Sequence, residues 1–206
     1  MLTLHDMLLS GNCHKVRLLL RWLGVPFRRV EVDVFGGGSH TPDFLALNPA
    51  GKVPVLVWDD GRTLPESGAI LLHFAEETDW LPDDAWERAQ MYRWMFWEQY
   101  SHETAVAVIR SVVLYNRPFG AERKAQLLED GTAALALMDR HLAGRDWFVG
   151  NRRSLADLVL YPYTAVAEDG GLELAGFPHL NAWLDRFAGL PGFVPMDHDT
   201  GWDAAA

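Results

Sequence analysis

The tetrad Ser10-Gly11-Asn12-Cys13 follows a short alternating segment, Leu2-Thr3-Leu4, and precedes a run of apolar residues at helical spacing. A hydroxyl, an amide and a thiol therefore gather at a helix start, where backbone N–H groups and the helix dipole favour an anion. Two cysteines at this point would make and break a disulfide. Here the leading residue is Ser10 and the chain has a single cysteine, so dithiol chemistry by the protein itself is excluded. A hydroxyl at that point can instead donate to a thiolate supplied by a ligand. Free thiols titrate near ~8.5, so only a few per cent are ionised at neutral pH. A donor beside a helix N-terminus raises that fraction. Capping of the helix by Ser10 or Asn12 accounts for the same residues without any ligand.

A second constellation lies in Asn48 to Leu71. Val53-Pro54 opens an apolar strand through Trp58, Asp59-Asp60-Gly61 signals a tight turn, and a short strand from Arg62 to Leu64 leads to Pro65-Glu66-Ser67 at a helix start. Proline has no N–H and sits in sheets at a strand's first residue, on an edge or at a bulge. A cis Val53-Pro54 bond would leave the main-chain groups of Val53 free to hold a peptide-like ligand as an added strand. An edge strand that begins with proline is the plain alternative. Ser67 suits a carboxylate and Glu66 an ammonium, together an α-amino acid end, though Ser67 is equally a natural N-cap.

These groups need a scaffold that brings two helix starts to one place. Leu2-Thr3-Leu4, a helix from Val16 to Leu23 stopped by Gly24, and a strand from Phe27 to Val34 form a βαβ unit with parallel strands. A flexible Gly36-Gly37-Gly38, a short helix from Thr41-Pro42, and the hairpin and helix of the second constellation complete β-α-β-α-β-β-α. That is the layout of a thioredoxin-like α/β domain over residues 1–78. Residues 79–84 read as a linker. Residues 85–206 read as all-helical, with one long helix from Ala85 to Tyr115, another from Gly120 to Leu142, a Ser154-to-Asp157 capping box and a last helix from His179 to Ala188. Gly189 to Ala206, including Met196, His198 and Trp202, is an aperiodic tail assigned to that helical domain.

The net charge of −10 argues against nucleic acid or an anionic membrane as partner. The lone cysteine and the absence of a basic, apolar leader fit a cytoplasmic protein. No run reaches the ~18 apolar residues of a spanning helix. Histidines and Cys13 are scattered without ligand spacing, so no metal is expected. Cys13 reads as a structural thiol and His14 as a bystander. In the long helix Arg93, Trp97, Tyr100, Ser101 and Thr104 recur every three or four residues and are candidate pocket walls, with core or dimer packing as the alternative. Glu98, His102, Glu103 and Arg110 read as a solvated or interface face.

Ser10 after the first strand, Asn48-Pro49, Lys52-Val53-Pro54-Val55-Leu56 and Glu66-Ser67-Gly68-Ala69-Ile70 resemble the soluble, cytosolic-type glutathione transferases. So does Ser154-Leu155-Ala156-Asp157 preceded by Trp147-Phe148-Val149-Gly150. The resemblance spans almost the whole chain in order. It implies a glutathione-binding first domain, a helical domain that supplies the acceptor site, a homodimer, and no permanently bound cofactor, glutathione being co-substrate. By matching motif, Val53 beside cis-Pro54 would pair with the cysteinyl main chain of glutathione. Glu66 and Ser67 would hold its γ-glutamyl end, and His40 and Lys52 would lie near its glycyl carboxylate. Ser10 would hydrogen-bond the thiolate, as in serine-type bacterial members. Asn12 is a second donor, as in members that reduce disulfides. The implied activity is conjugation of the thiolate to small hydrophobic electrophiles in detoxification. Glutathione-dependent disulfide or peroxide reduction and a non-catalytic binding module are the alternatives.

Overall fold

Four strands form one mixed sheet in the computed structural model, which describes residues 1–198; Trp202 of the tail lies outside the described residues. The strands are β1 (Leu2–Asp6), β2 (Phe27–Glu31), β3 (Val55–Val57) and β4 (Thr63–Pro65), in the order β2-β1-β3-β4. β1 pairs in parallel with β2, Leu4 opposite Arg29, and antiparallel with β3, His5 opposite Val55. β3 pairs antiparallel with β4, Val55 opposite Pro65. Helices α1 (Gly11–Trp22), α2 (Pro42–Leu47) and α3 (Ser67–Ala75) complete a thioredoxin-like unit. β2 and β3 are shorter than the alternation of their sequences predicts, since pairing ends at Glu31 and at Val57.

Local chemistry sets these ends. Gly24 stops α1 at φ +65°, a left-handed conformation that glycine adopts without penalty. Thr41 caps α2 by accepting from Phe44 N, and Pro42 occupies the first turn, where its missing N–H costs nothing. Phe44 then packs against Val32 and Val55, with Val34, Leu47, Val53 and Val57 around them. Burying such a side chain stabilises the unit by about 1.5–3 kcal/mol. Leu18, Leu19 and Leu20 of α1 and Ile70 and Leu71 of α3 are fully buried.

The chain divides into two compact units, Met1–Glu76 with Pro191–Ala206, and Glu77–Leu190. The sequence-based division put all of 85–206 in the helical part. The segment from Pro191 instead lies along α1, which grips its main chain. Trp22 Nε1 donates to Pro191 O at 2.8 Å, Arg21 Nε to Gly192 O at 3.1 Å and Arg17 Nη2 to Met196 O at 3.2 Å. His14 Nε2 donates to Val194 O at 2.8 Å. These bonds go to backbone carbonyls, so no side-chain pattern in the tail advertises them.

The second unit is helical: α4 (Ala85–Trp97), α5 (Glu103–Leu114), α6 (Ala121–Leu142), α7 (Leu155–Ala165) and α8 (Pro178–Ala188). Asp84 caps α4 by accepting from Trp86 N and Glu87 N. α4 and α5 are the two arms of the long predicted helix, separated by a π-helical turn, Glu98–His102, whose wider winding adds a residue to the ladder. Burial overturns the expected solvated or interface face at three of its four residues. Glu98 and His102 are fully buried and Arg110 nearly so, with His102 Nε2 2.9 Å from Thr164 Oγ1 and Arg110 paired to Asp169 at 2.9 Å.

α7 is buried along almost its whole length and begins with a reciprocal capping box. Asp157 accepts from Ser154 N at 2.9 Å, from Phe148 N at 3.0 Å and from Trp183 Nε1 at 3.0 Å. It thus ties the loop before α7 to α8. Around it Phe148 meets Trp183 edge-on at 5.1 Å, and Tyr161 stacks on Phe187 at 4.2 Å.

Candidate active site at two helix N-termini

Sheet register alone brings the candidate residues to one end of the first unit. β1 finishes at Asp6, and its antiparallel neighbour β3 begins at Val55, opposite His5. β4 finishes at Pro65, opposite that same Val55. The start of α1, the Val53–Pro54 bond and the start of α3 therefore all adjoin the same end of the sheet.

Ser10 is the N-cap of α1, and its Oγ accepts from Cys13 N at 3.3 Å. Cys13 is fully buried, and its Sγ accepts from Met7 N at 3.5 Å. Burial pushes the Cys13 thiol well above its ordinary pKa, helped by the Asp6 carboxylate; hydrogen bonds from Ser10 and Met7 oppose the shift without cancelling it. The Ser10 hydroxyl is thus engaged by its own helix.

Asn12 is differently disposed. Its Oδ1 accepts from Lys15 Nζ at 2.7 Å and from Ser67 Oγ at 3.4 Å. The second bond joins the first turn of α1 to the first turn of α3. Ser67 is buried and is the first helical residue rather than the cap. The capping position falls to Glu66, which makes no side-chain cap bond and sits at φ 73°, ψ 109°. A non-glycine residue at positive φ costs on the order of 1–3 kcal/mol, and such strain concentrates at binding sites. The strain holds the exposed Glu66 carboxylate at the helix start, next to Ser67.

The Val53–Pro54 peptide bond is cis. Before it, Asn48 organises the turn: Oδ1 accepts from Ala50 N at 3.0 Å, and Nδ2 donates to Lys52 O at 2.8 Å. Gly51 is at φ +62°, and a Cβ there would lie 3.1 Å from His40 Nε2, so the two chain segments approach closely. His40 and Lys52 are exposed on either side of that approach, the Ser39 hydroxyl lying 3.1 Å from His40 Nδ1.

Of the residues read from sequence, Ser10, Asn12 and Ser67 come together through direct bonds or a shared helix turn, and His40 and Lys52 flank Gly51. The five candidate pocket residues of the second unit differ in exposure and in partners. Arg93 lies over the Trp94 ring at 4.6 Å, and Trp97 meets Trp94 edge-on at 5.1 Å and His102 at 6.1 Å. Tyr100 is 85% exposed, and Thr104 is exposed with its Oγ1 bonded to Tyr100 O at 2.8 Å. Ser101 is half-buried. The π turn continues the face of Trp97 through His102, five residues on, instead of through Ser101. Among the described residues no three potential metal ligands gather, and no helix is long and apolar enough to cross a membrane.

Lys15 was missed in the sequence. It is fully buried, one turn after Asn12. Its signal was positional: a lysine three residues after Asn12, within a helix whose following residues are mostly apolar.

Comparison with known proteins agrees with this fold. Residues 9–77 match the family model for the glutathione S-transferase N-terminal domain, and residues 100–191 match that for its C-terminal domain. A glutathione S-transferase structure from Xanthobacter autotrophicus Py2 is 44% identical with a TM-score of 0.91, covering 95% of this chain and 97% of that one. Glutathione S-transferase 3 of Zea mays is 32% identical over 204 residues, 93% of this chain and 91% of the relative. Disulfide-bond oxidoreductase YfcG of Escherichia coli K12 is 28% identical over 197 residues, 88% of each chain. The chain belongs to the glutathione S-transferase family.

Proposed function

We propose that this protein is a glutathione transferase that binds glutathione at the paired starts of α1 and α3 and directs its thiolate at small hydrophobic electrophiles. The observation that carries this reading is the Ser67–Asn12 bond, which holds two helix N-termini against each other. Both termini favour anionic groups, and glutathione offers a thiolate and an α-carboxylate. Glu66 is the matching partner for the α-ammonium. Val53, beside cis-Pro54, offers its main chain to the cysteinyl residue, and His40 and Lys52 are suited to the glycyl carboxylate. The helical unit supplies the acceptor site in this reading, with Arg93, Trp97, Tyr100, Ser101 and Thr104 as its first residues to test. A homodimer is part of the proposal; Phe96, 70% exposed, and Tyr100 are a large apolar surface for it to cover. The setting is cytoplasmic, where glutathione is kept reduced.

Asn12 is the first sulfur donor to test in this reading, because its amide also joins α1 to α3; the Ser10 oxygen accepts from Cys13 N and keeps its own O–H to donate. That same observation favours a second activity on the same site. Glutathione thiolate would attack a small disulfide, a second glutathione would complete the reduction, and glutathione disulfide would leave with the two product thiols.

The test measures glutathione affinity by calorimetry, together with turnover of a chlorinated nitroaromatic and of a small disulfide. Removing a hydrogen bond to a charged sulfur costs about 1.5–3 kcal/mol, or roughly 10–100-fold in kcat/KM. Asn12→Ala is expected to show that loss, and Ser10→Ala a smaller one. A wild-type protein that binds glutathione but turns over neither substrate is a binding module, and the enzymatic reading fails. No binding at all removes the whole proposal.

A further inference from the structure

Residues 7–10 join the end of β1 to the start of α1 and include Ser10, yet Met7, Leu8 and Leu9 are not turn-forming residues. The turn is fixed from outside. Glu31 Oε1 accepts from Leu8 N at 3.0 Å, and Arg17 Nη2 donates to Leu8 O at 2.7 Å. Between those two side chains, Arg29 Nη2 donates to Glu31 Oε2 at 2.8 Å and Arg29 Nε to Asp6 Oδ2 at 2.6 Å. Arg17 Nη1 donates to both Asp6 oxygens at 2.8 Å. The bonds close a ring, from Leu8 through Glu31, Arg29, Asp6 and Arg17 back to Leu8, in which negative and positive side chains alternate. Ser10 N donates to Met7 O at 2.9 Å, so Ser10 is carried by the turn that the ring holds. Arg17 Nη2 also reaches Met196 O at 3.2 Å, which ties in the returning segment.

Stability explains only half of this ring. Asp6 and Arg17 are fully buried, and each is the other's charge partner. The side chains of Arg29 and Glu31 are 14% and 55% exposed, and an ion pair so placed contributes little. The bond from Leu8 N to Glu31 lies at the surface, where water could take its place. Building on the glutathione reading, we propose that Glu31 and Arg29 are positioning residues that hold the Leu8 main chain so that the Ser10 hydroxyl is aimed at the ligand sulfur. Ser10 Oγ accepts from Cys13 N and keeps its own O–H to donate. A donor fixed before the ligand arrives loses no freedom when it donates. Displacing it would cost turnover more than binding, because α3 and Val53 hold the rest of glutathione in that reading. Sheet register supplies the clamp, since Asp6 and Glu31 stand opposite each other where β1 pairs with β2.

The experiment measures glutathione affinity by calorimetry and kcat for a chlorinated nitroaromatic in wild type, Glu31→Ala, Glu31→Gln, Ser10→Ala and the Glu31→Ala/Ser10→Ala double variant. Glu31→Ala is expected to lower kcat roughly threefold, the scale of one net hydrogen bond, with glutathione affinity changed by less than about twofold. Glu31→Gln keeps a carbonyl acceptor for Leu8 N and is expected to retain most of kcat. In the Ser10→Ala background Glu31→Ala is expected to add no further loss. The Glu31 side chain is more than half exposed, so its variants keep the fold. An unchanged kcat in Glu31→Ala overturns the proposal, as does a loss of equal size without Ser10, or a Glu31→Gln variant no better than Glu31→Ala. A lower thermal midpoint with full kcat marks a structural role alone and overturns it as well. A wild-type protein that binds no glutathione, or binds it without turnover, fails before any variant is compared. That result removes the glutathione reading or its enzymatic part, and this proposal with it.

Discussion

Two buried aspartates, one in each unit, solve the same desolvation problem in different ways. Asp6 in the first unit is held by charge. Arg17 Nη1 reaches both of its oxygens at 2.8 Å, and Arg29 Nε adds a bond at 2.6 Å. Asp157 in the second unit has neutral donors instead: two backbone N–H groups, the Ser154 hydroxyl and the Trp183 indole. Burial wins there, and its pKa is pushed up to about 6. An ion pair compensates a buried carboxylate by Coulomb attraction between a few partners, whereas a ring of dipoles does so by joining several segments of chain. The first device suits a region packed around a charged binding site, the second an aromatic core that only has to hold together.

The largest expected break in this comparison is Asp157→Ala. It leaves Phe148 N, Ser154 N and Trp183 Nε1 without their acceptor, and the helical unit should lose about 3–5 kcal/mol. Urea unfolding followed by tryptophan fluorescence measures this, and a loss below about 1 kcal/mol would deny Asp157 its role. Next comes Arg17→Met, expected to cost about 3 kcal/mol, because Arg29 remains on Asp6. Its loss should appear in the first unit, monitored by hydrogen exchange in α1 and β1.

A smaller effect separates the units by pH. Burial, reinforced by Arg17, lowers the pKa of His14 from 6.5 to about 3. Between those values the unfolded chain binds the extra proton, so stability falls as pH drops below about 6.5. The His14 contribution should be about 2 kcal/mol between pH 7 and 5. Asp157 has the opposite sign: its folded pKa lies above 3.8, so acidification from about pH 6 favours the folded state. Unfolding of wild type and His14→Gln at pH 7, 6 and 5 should show the variant losing less stability on acidification. Parallel curves would break the contrast.

Much of this architecture was legible because it rests on local patterns. Alternation at Leu2–Leu4, the Gly24 stop, the Asp59-Asp60-Gly61 turn and the Ser154–Asp157 box each write their geometry into a few neighbouring residues. The same holds for Ser10, Asn12 and Ser67, which stand at element ends that those patterns define. What escaped depends on contacts between distant segments. The π turn at Glu98–His102 has no composition cue, and nothing in their own side chains marks Glu98, His102 and Arg110 as buried. Lys15 has no local pattern that marks it, yet it is fully buried. Glu66 at φ 73° is held by what surrounds it, against its own preference.

The segment after Pro191 has a consequence for the order of events during synthesis. His14 and Arg17 emerge early, yet the carbonyls of Val194 and Met196 that they bind lie 180 and 179 residues later. At roughly 5–20 residues per second, the interval is on the order of ten to forty seconds. The first unit to leave the ribosome is therefore among the last to be completed, and the helical unit has been translated in full before α1 receives its final acceptors.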